Sequence, residues 1–78
     1  MQQVTMYTTP WCGYCKRLKR QMDDAGIAYV EVDVDRDGRF DERIMAAGGG
    51  FRTVPTLEVA GDLLVNPTLR ELQDRLAG

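Results

Sequence analysis

Hydrophobic and polar positions change period several times along this 78-residue chain. Val4-Thr5-Met6-Tyr7-Thr8 alternates and reads as a first strand, closed by Pro10. Over residues 12–25 the spacing becomes helical. At about 100° per residue, Cys15, Leu18, Met22 and Ala25 share one apolar sector, while Cys12, Lys16 and Lys19 lie on its edge and beyond, toward water. Gly26 stands where a helix is expected to stop. Residues 28–34 alternate around Tyr29, Val30, Val32 and Val34, a second strand; a helix between two strands implies a parallel βαβ unit. A short helix follows, with Asp37 as cap and Phe40, Ile44 and Ala47 at helical spacing, and Gly48-Gly49-Gly50 ends it as a mobile connection. Residues 56–59 and 63–65 form a hairpin about Gly61-Asp62. Thr68-Leu69-Arg70-Glu71 has capping-box spacing and opens a last helix with Leu69, Leu72 and Leu76 inward. The order is βαβαββα, an α/β domain with three helices and four strands.

Composition narrows what such a domain can do. Residues 1–78 make one small domain, with no apolar run long enough to span a membrane and no secretory leader. A net charge of −2 argues against general nucleic-acid binding. The one basic cluster, Lys16, Arg17, Lys19 and Arg20, borders the cysteines and reads as a solvated helix face, with Lys19–Asp23 and Arg20–Asp24 as i,i+4 pairs. Two cysteines exclude a multi-disulfide secreted scaffold and point to a catalytic pair in a reducing, cytoplasmic compartment. With no histidine and no second cysteine pair, a zinc site within one chain is excluded. Asp33, Asp35, Asp37 and Gly38 imitate half of a calcium loop, but Ile44 stands where the bidentate glutamate belongs. No metal is expected.

Cys12-Gly13-Tyr14-Cys15 carries the chemistry. A strand feeding a Cys-x-x-Cys into the first turn of a helix is the arrangement of thiol–disulfide oxidoreductases. Residues i and i+3 of one turn lie close enough for a disulfide with little backbone movement. The helical phase predicts an exposed Cys12 that attacks and a partly buried Cys15 that resolves. Helix N-termini and nearby cations lower a thiol pKa from about 8.5 to between ~3.5 and ~7.5. Cys12 is placed to meet the first-turn amides, with Lys16 and Lys19 close in the helix. For a drop of about three units, the thiolate fraction at pH 7 rises roughly thirtyfold while intrinsic nucleophilicity falls about twentyfold, so the two nearly cancel. The larger benefit is in the leaving group, because a low-pKa sulfur departs quickly from a mixed disulfide.

Val4-Thr5-Met6-Tyr7, Trp11-Cys12-Gly13-Tyr14-Cys15 and Arg52-Thr53-Val54-Pro55-Thr56 together resemble the glutaredoxin-type branch of the thioredoxin-fold superfamily, across essentially the whole chain. Asn66-Pro67-Thr68 resembles the mycoredoxins, the actinobacterial members that use mycothiol. The resemblance implies a four-stranded mixed sheet with three helices, Cys12 as nucleophile and Cys15 as resolving thiol. It also makes Pro55 a cis-proline opposite the dithiol, presenting the Val54 backbone as a short edge for a thiol substrate. Trp11 and Tyr14 would wall the sulfur, and Thr53 and Arg52 would border it, Arg52 steering an acidic or polar substrate.

Leu64-Val65-Asn66-Pro67-Thr68 stands where glutathione-dependent glutaredoxins usually carry a Gly-Gly segment followed by an acidic or hydroxyl residue. Mycothiol is uncharged whereas glutathione carries two carboxylates, and neutral Asn66 and Thr68 suit the former. Mycothiol is therefore the expected co-substrate, S-thiolated proteins the substrates, and mycothiol disulfide reductase or thioredoxin reductase the upstream partner of a monomer without bound cofactor. Two alternatives stand beside this. One is a dithiol hydrogen donor for ribonucleotide reductase, although the Trp-Ser-Gly-Phe-Arg-Pro segment of that group is absent. The other is a binding module in which Cys12 from two chains and two small thiols hold an iron–sulfur cluster.

Overall fold

The computed structural model of the chain describes residues 3–77. Strand β1 (Val4–Thr8) leads into helix α1 (Gly13–Asp24) and strand β2 (Val30–Asp33). A 3-10 turn (Gly38–Phe40) precedes helix α2 (Asp41–Ala47); strands β3 (Thr56–Val59) and β4 (Asp62–Val65) and helix α3 (Leu69–Ala77) complete the chain. The sheet order is β2-β1-β3-β4, with β1 parallel to β2 and antiparallel to β3, and β3 antiparallel to β4. This is the expected four-stranded mixed sheet with three helices.

Alternation along β1 divides the apolar residues between two layers. Val4 and Met6 join Cys12, Cys15, Leu18, Met22, Leu57, Val59 and Leu72 in one buried cluster between the sheet and helices α1 and α3. Tyr7, one residue out of that phase, belongs to a smaller cluster on the other face with Val34 and Ile44 of α2. There its hydroxyl donates to Glu58 Oε1 at 2.9 Å, and Arg43 Nη1 reaches the same oxygen at 2.9 Å. Burial, then the hydrogen bond to the Glu58 carboxylate, pushes the Tyr7 phenol up to about 12.

Helix boundaries follow local chemistry. Cys12 caps α1, and Gly26 follows it at φ +73°, a left-handed conformation that costs glycine little. At α3 the capping box closes reciprocally: Thr68 N–H donates to Glu71 Oε1 at 2.9 Å, and Glu71 N–H to Thr68 Oγ1 at 3.1 Å.

Several expectations need correction. β2 covers only residues 30–33 and is an edge strand, so Val30 is 49% exposed and Ala28 and Tyr29 lie outside the ladder. Asp37 caps the 3-10 turn rather than α2, accepting from Arg39 N–H. Ala47 and Ala25 are exposed, because each lies in the last turn of its helix or just past it, beyond the packed stretch. The hairpin turns on Ala60-Gly61, both at positive φ, and Asp62 already belongs to β4. Lys19 meets Glu31 of β2 at 2.7 Å instead of Asp23, and no Arg20–Asp24 pair forms among the described residues. The triple glycine has a packing reason as well. A Cβ on Gly48 would stand 2.5 Å from the Phe51 carbonyl oxygen, so only glycine lets the chain turn back this tightly toward residues 52–55.

Candidate active site

Strand β1 and the turn at Pro10 deliver Cys12 to the N-terminus of α1. Its backbone is extended (φ −82°, ψ 114°), as a cap requires, and its Sγ accepts the Cys15 N–H at 3.3 Å. The sulfur occupies the position that a serine or aspartate oxygen usually fills. The thiol points at the Val54 carbonyl oxygen, 3.6 Å away. Cys12 is therefore 5% exposed, not open as the helical phase predicted, because the segment through Val54 folds over it. Cys15 lies one turn deeper and is fully buried. Both are free thiols. Burial raises the Cys15 pKa and the hydrogen bond with Cys12 adds to it, against smaller opposing contributions from the Thr8 hydroxyl and the Thr9 backbone.

Val54-Pro55 is a cis peptide, and the Pro55 carbonyl accepts Asn66 N–H at 2.8 Å. That bond ties the approach to α3 to the loop over the dithiol. Asn66 adopts φ +46°, a conformation asparagine tolerates better than most residues. Thr53 serves the loop itself: its carbonyl accepts the Thr56 hydroxyl at 2.6 Å. An open groove of about 260 Å³ runs between α1 and the start of α3, lined by Tyr14, Arg17 and Gln21 on one side and Asn66, Pro67 and Thr68 on the other. Tyr14, Asn66 and Thr68 are thus brought together along one groove.

Trp11 and Arg52 are brought together on another flank, by a residue the sequence reading assigned no role here. Asp35 Oδ2 accepts the Trp11 Nε1–H at 2.8 Å, and its Oδ1 accepts Arg52 Nη2 at 2.8 Å. Arg52 also donates from Nη1 to the Val34 carbonyl at 3.3 Å. It is not the free steering cation expected of it. Trp11 and Tyr14 remain 68% and 67% exposed, so they border the sulfur without enclosing it, and Phe51 adds a third exposed aromatic at 73%. Arg17, Gln21, Asp35 and Phe51 went unassigned. Arg17 left a trace in the basic run that borders the cysteines, and Asp35 in the false calcium loop.

A dithiol at a helix start, one sulfur capping the helix and the other buried behind it, on this sheet defines a thioredoxin-fold oxidoreductase. The glutaredoxin family model matches residues 4–64, and the chain belongs to the glutaredoxin family. A Mycobacterium tuberculosis protein named as a glutaredoxin is 45% identical over 74 residues, covering 94% of this chain and 88% of that protein. Mycoredoxin 1 of Corynebacterium glutamicum is 37% identical over 73 residues, covering 92% and 90%. Among solved structures, the glutaredoxin-like NrdH-redoxin of Escherichia coli superposes with a TM-score of 0.75 at 27% identity, covering 95% of this chain and 93% of that one. Among the described residues no helix is long and apolar enough to cross a membrane.

Proposed function

We propose that this single-domain chain is a mycothiol-linked glutaredoxin that removes a small thiol from S-thiolated proteins, with Cys12 as nucleophile and Cys15 as resolving thiol. The observation that carries this reading is the asymmetry at the helix start. The Cys12 sulfur receives the Cys15 amide beside the Val54 carbonyl, whereas the Cys15 thiol is fully buried with a raised pKa. In the cycle, the Cys12 thiolate attacks the small-thiol sulfur of a mixed disulfide. A Cys12–S bond forms, the substrate S–S bond breaks, and the protein thiolate leaves and takes a proton from solvent. A second small-thiol thiolate attacks the sulfur bound to Cys12 and releases the Cys12 thiolate. The small-thiol disulfide is then reduced by a partner reductase.

Cys15 is needed only when the substrate is an intramolecular protein disulfide. Cys12 opens that bond, leaving one substrate sulfur bonded to Cys12 and the other as a thiolate. Cys15 then attacks the Cys12 sulfur, closes the Cys12–Cys15 disulfide and releases the second substrate thiolate, so that the substrate leaves as a dithiol. Thr53, Val54 and Pro55 offer the backbone edge for the incoming thiol, with Trp11 and Tyr14 at its borders. No bound prosthetic group or metal enters the cycle, which belongs to a cytoplasmic monomer.

Mycothiol as the partner is supported by the likeness to mycoredoxin 1. The groove supports it too: Arg17 is its one charged lining residue, against two carboxylates on glutathione, while Tyr14, Gln21, Asn66 and Thr68 offer neutral hydrogen-bonding groups to a polyol. The likeness to NrdH-redoxin favours a second reading, a dithiol donor recharged by thioredoxin reductase. Turnover of a peptide–mycothiol mixed disulfide with mycothiol and its reductase, against the glutathione equivalents, tests the choice. Losing one charge-assisted hydrogen bond of ~1.5–3 kcal/mol shifts preference roughly tenfold or more, toward mycothiol. Comparable kcat/KM values with both thiols would remove the mycothiol assignment, and turnover only with thioredoxin reductase would favour the dithiol donor.

A further inference from the structure

Arg52 stands two residues before the carbonyl that faces Cys12, and its charge is compensated within the protein. Nη2 bonds Asp35 Oδ1 at 2.8 Å, and Nη1 lies 3.9 Å from Asp41 Oδ1, a buried oxygen with no hydrogen-bond partner among the described residues. One guanidinium set against two carboxylates leaves this cluster with a formal excess of negative charge. The other Asp35 oxygen holds Trp11, the residue immediately before Cys12. Asp35 thus links both chain segments that flank the sulfur.

We propose that Asp35 is a specificity-determining residue: together with Asp41 it cancels Arg52, so the wall beside Cys12 rejects carboxylate-bearing thiols and accepts neutral ones. The proposal rests on the reading of Cys12 as the attacking sulfur. A carboxylate approaching that wall meets no uncompensated cation from Arg52, whereas a neutral thiol loses nothing by it. Removing the Asp35 charge frees Arg52 to attract an anion, and that attraction is screened by salt over about 10 Å at 0.1 M.

The test compares kcat/KM on two mixed disulfides of one peptide, one carrying glutathione and the other mercaptoethanol, neither of which depends on mycothiol. Asp35→Asn is expected to raise the glutathione-to-mercaptoethanol ratio roughly fivefold, mainly through KM, as one partly exposed charge pair of about 1 kcal/mol dictates. Asp41→Asn moves the ratio in the same direction by less, and serves if Asp35→Asn fails to fold. Adding Arg52→Gln to either variant abolishes the gain, and so does high salt. An unchanged ratio, an equal fall on both substrates, or a gain that survives Arg52→Gln would overturn the proposal. Failure of wild-type turnover with mycothiol leaves the ratio measurable, so the two readings fail separately.

Discussion

The Cys15 backbone amide donates to the Cys12 sulfur at 3.3 Å, so a reactive sulfur also serves as the N-cap of α1. Structure and chemistry therefore separate on substitution. Cys12→Ser keeps an acceptor that caps well, and Cys12→Ala removes it at a cost of ~0.5–2 kcal/mol. Both should lose disulfide reduction, but only Cys12→Ala should show a clear drop in urea midpoint. Equal stabilities for the two variants would contradict the capping role.

The cysteines should differ in labelling order. Cys15 is fully buried and its raised pKa keeps it protonated at neutral pH, while Cys12 lies at the surface end of the pair. Iodoacetamide at neutral pH, read by peptide mass spectrometry, should modify Cys12 first. Cys15 labelling should follow slowly and accelerate as pH rises. Equal rates at the two sites would refute the buried-thiol geometry.

Tyr7 provides a pH-dependent stability signature away from the dithiol. Its folded pKa of about 12 exceeds the ordinary 10.0, so the folded state holds the proton more tightly than the unfolded chain. The stabilisation is fully present below pH 10 and is lost as pH rises toward 12, amounting to about 2–3 kcal/mol across that window. Chemical denaturation through this range should show the decline in wild type and a smaller one in Tyr7→Phe. Ultraviolet titration should show one tyrosinate forming near pH 12 that Tyr7→Phe lacks.

Gly48→Ala tests the turn that brings the chain back to the site. The new methyl would meet the Phe51 carbonyl at 2.5 Å and the Thr53 hydroxyl at 3.1 Å, and the former is backbone that must shift. A loss of about 1–3 kcal/mol is expected, with reduced turnover, because the displaced segment continues to the Val54 carbonyl at the Cys12 sulfur. Wild-type stability and turnover in this variant would show that the approach relaxes without consequence.

Elements fixed by neighbours in sequence were legible, and features fixed by distant partners were not. The α1 sector of Cys15, Leu18 and Met22, the glycine stop and the Thr68–Glu71 box each depend on residues no more than seven positions apart, and all hold. Burial of Cys12 depends on Val54, 42 positions away, so helical phase alone placed it in water. Asp35 joins Trp11 and Arg52 across 24 and 17 positions, a relation no local pattern carries. The edge position of β2 likewise follows from sheet order, not from its own alternation.

The most direct test of the proposed cycle is the fate of a mycothiol mixed disulfide on the two single-cysteine variants. Cys15→Ser should accumulate a mycothiol adduct on Cys12 by intact-mass and peptide mass spectrometry, and should retain a substantial part of wild-type turnover when mycothiol is supplied. Cys12→Ser should form no adduct and turn over nothing. An adduct on Cys15 in wild type, or complete inactivity of Cys15→Ser on this substrate, would contradict the account.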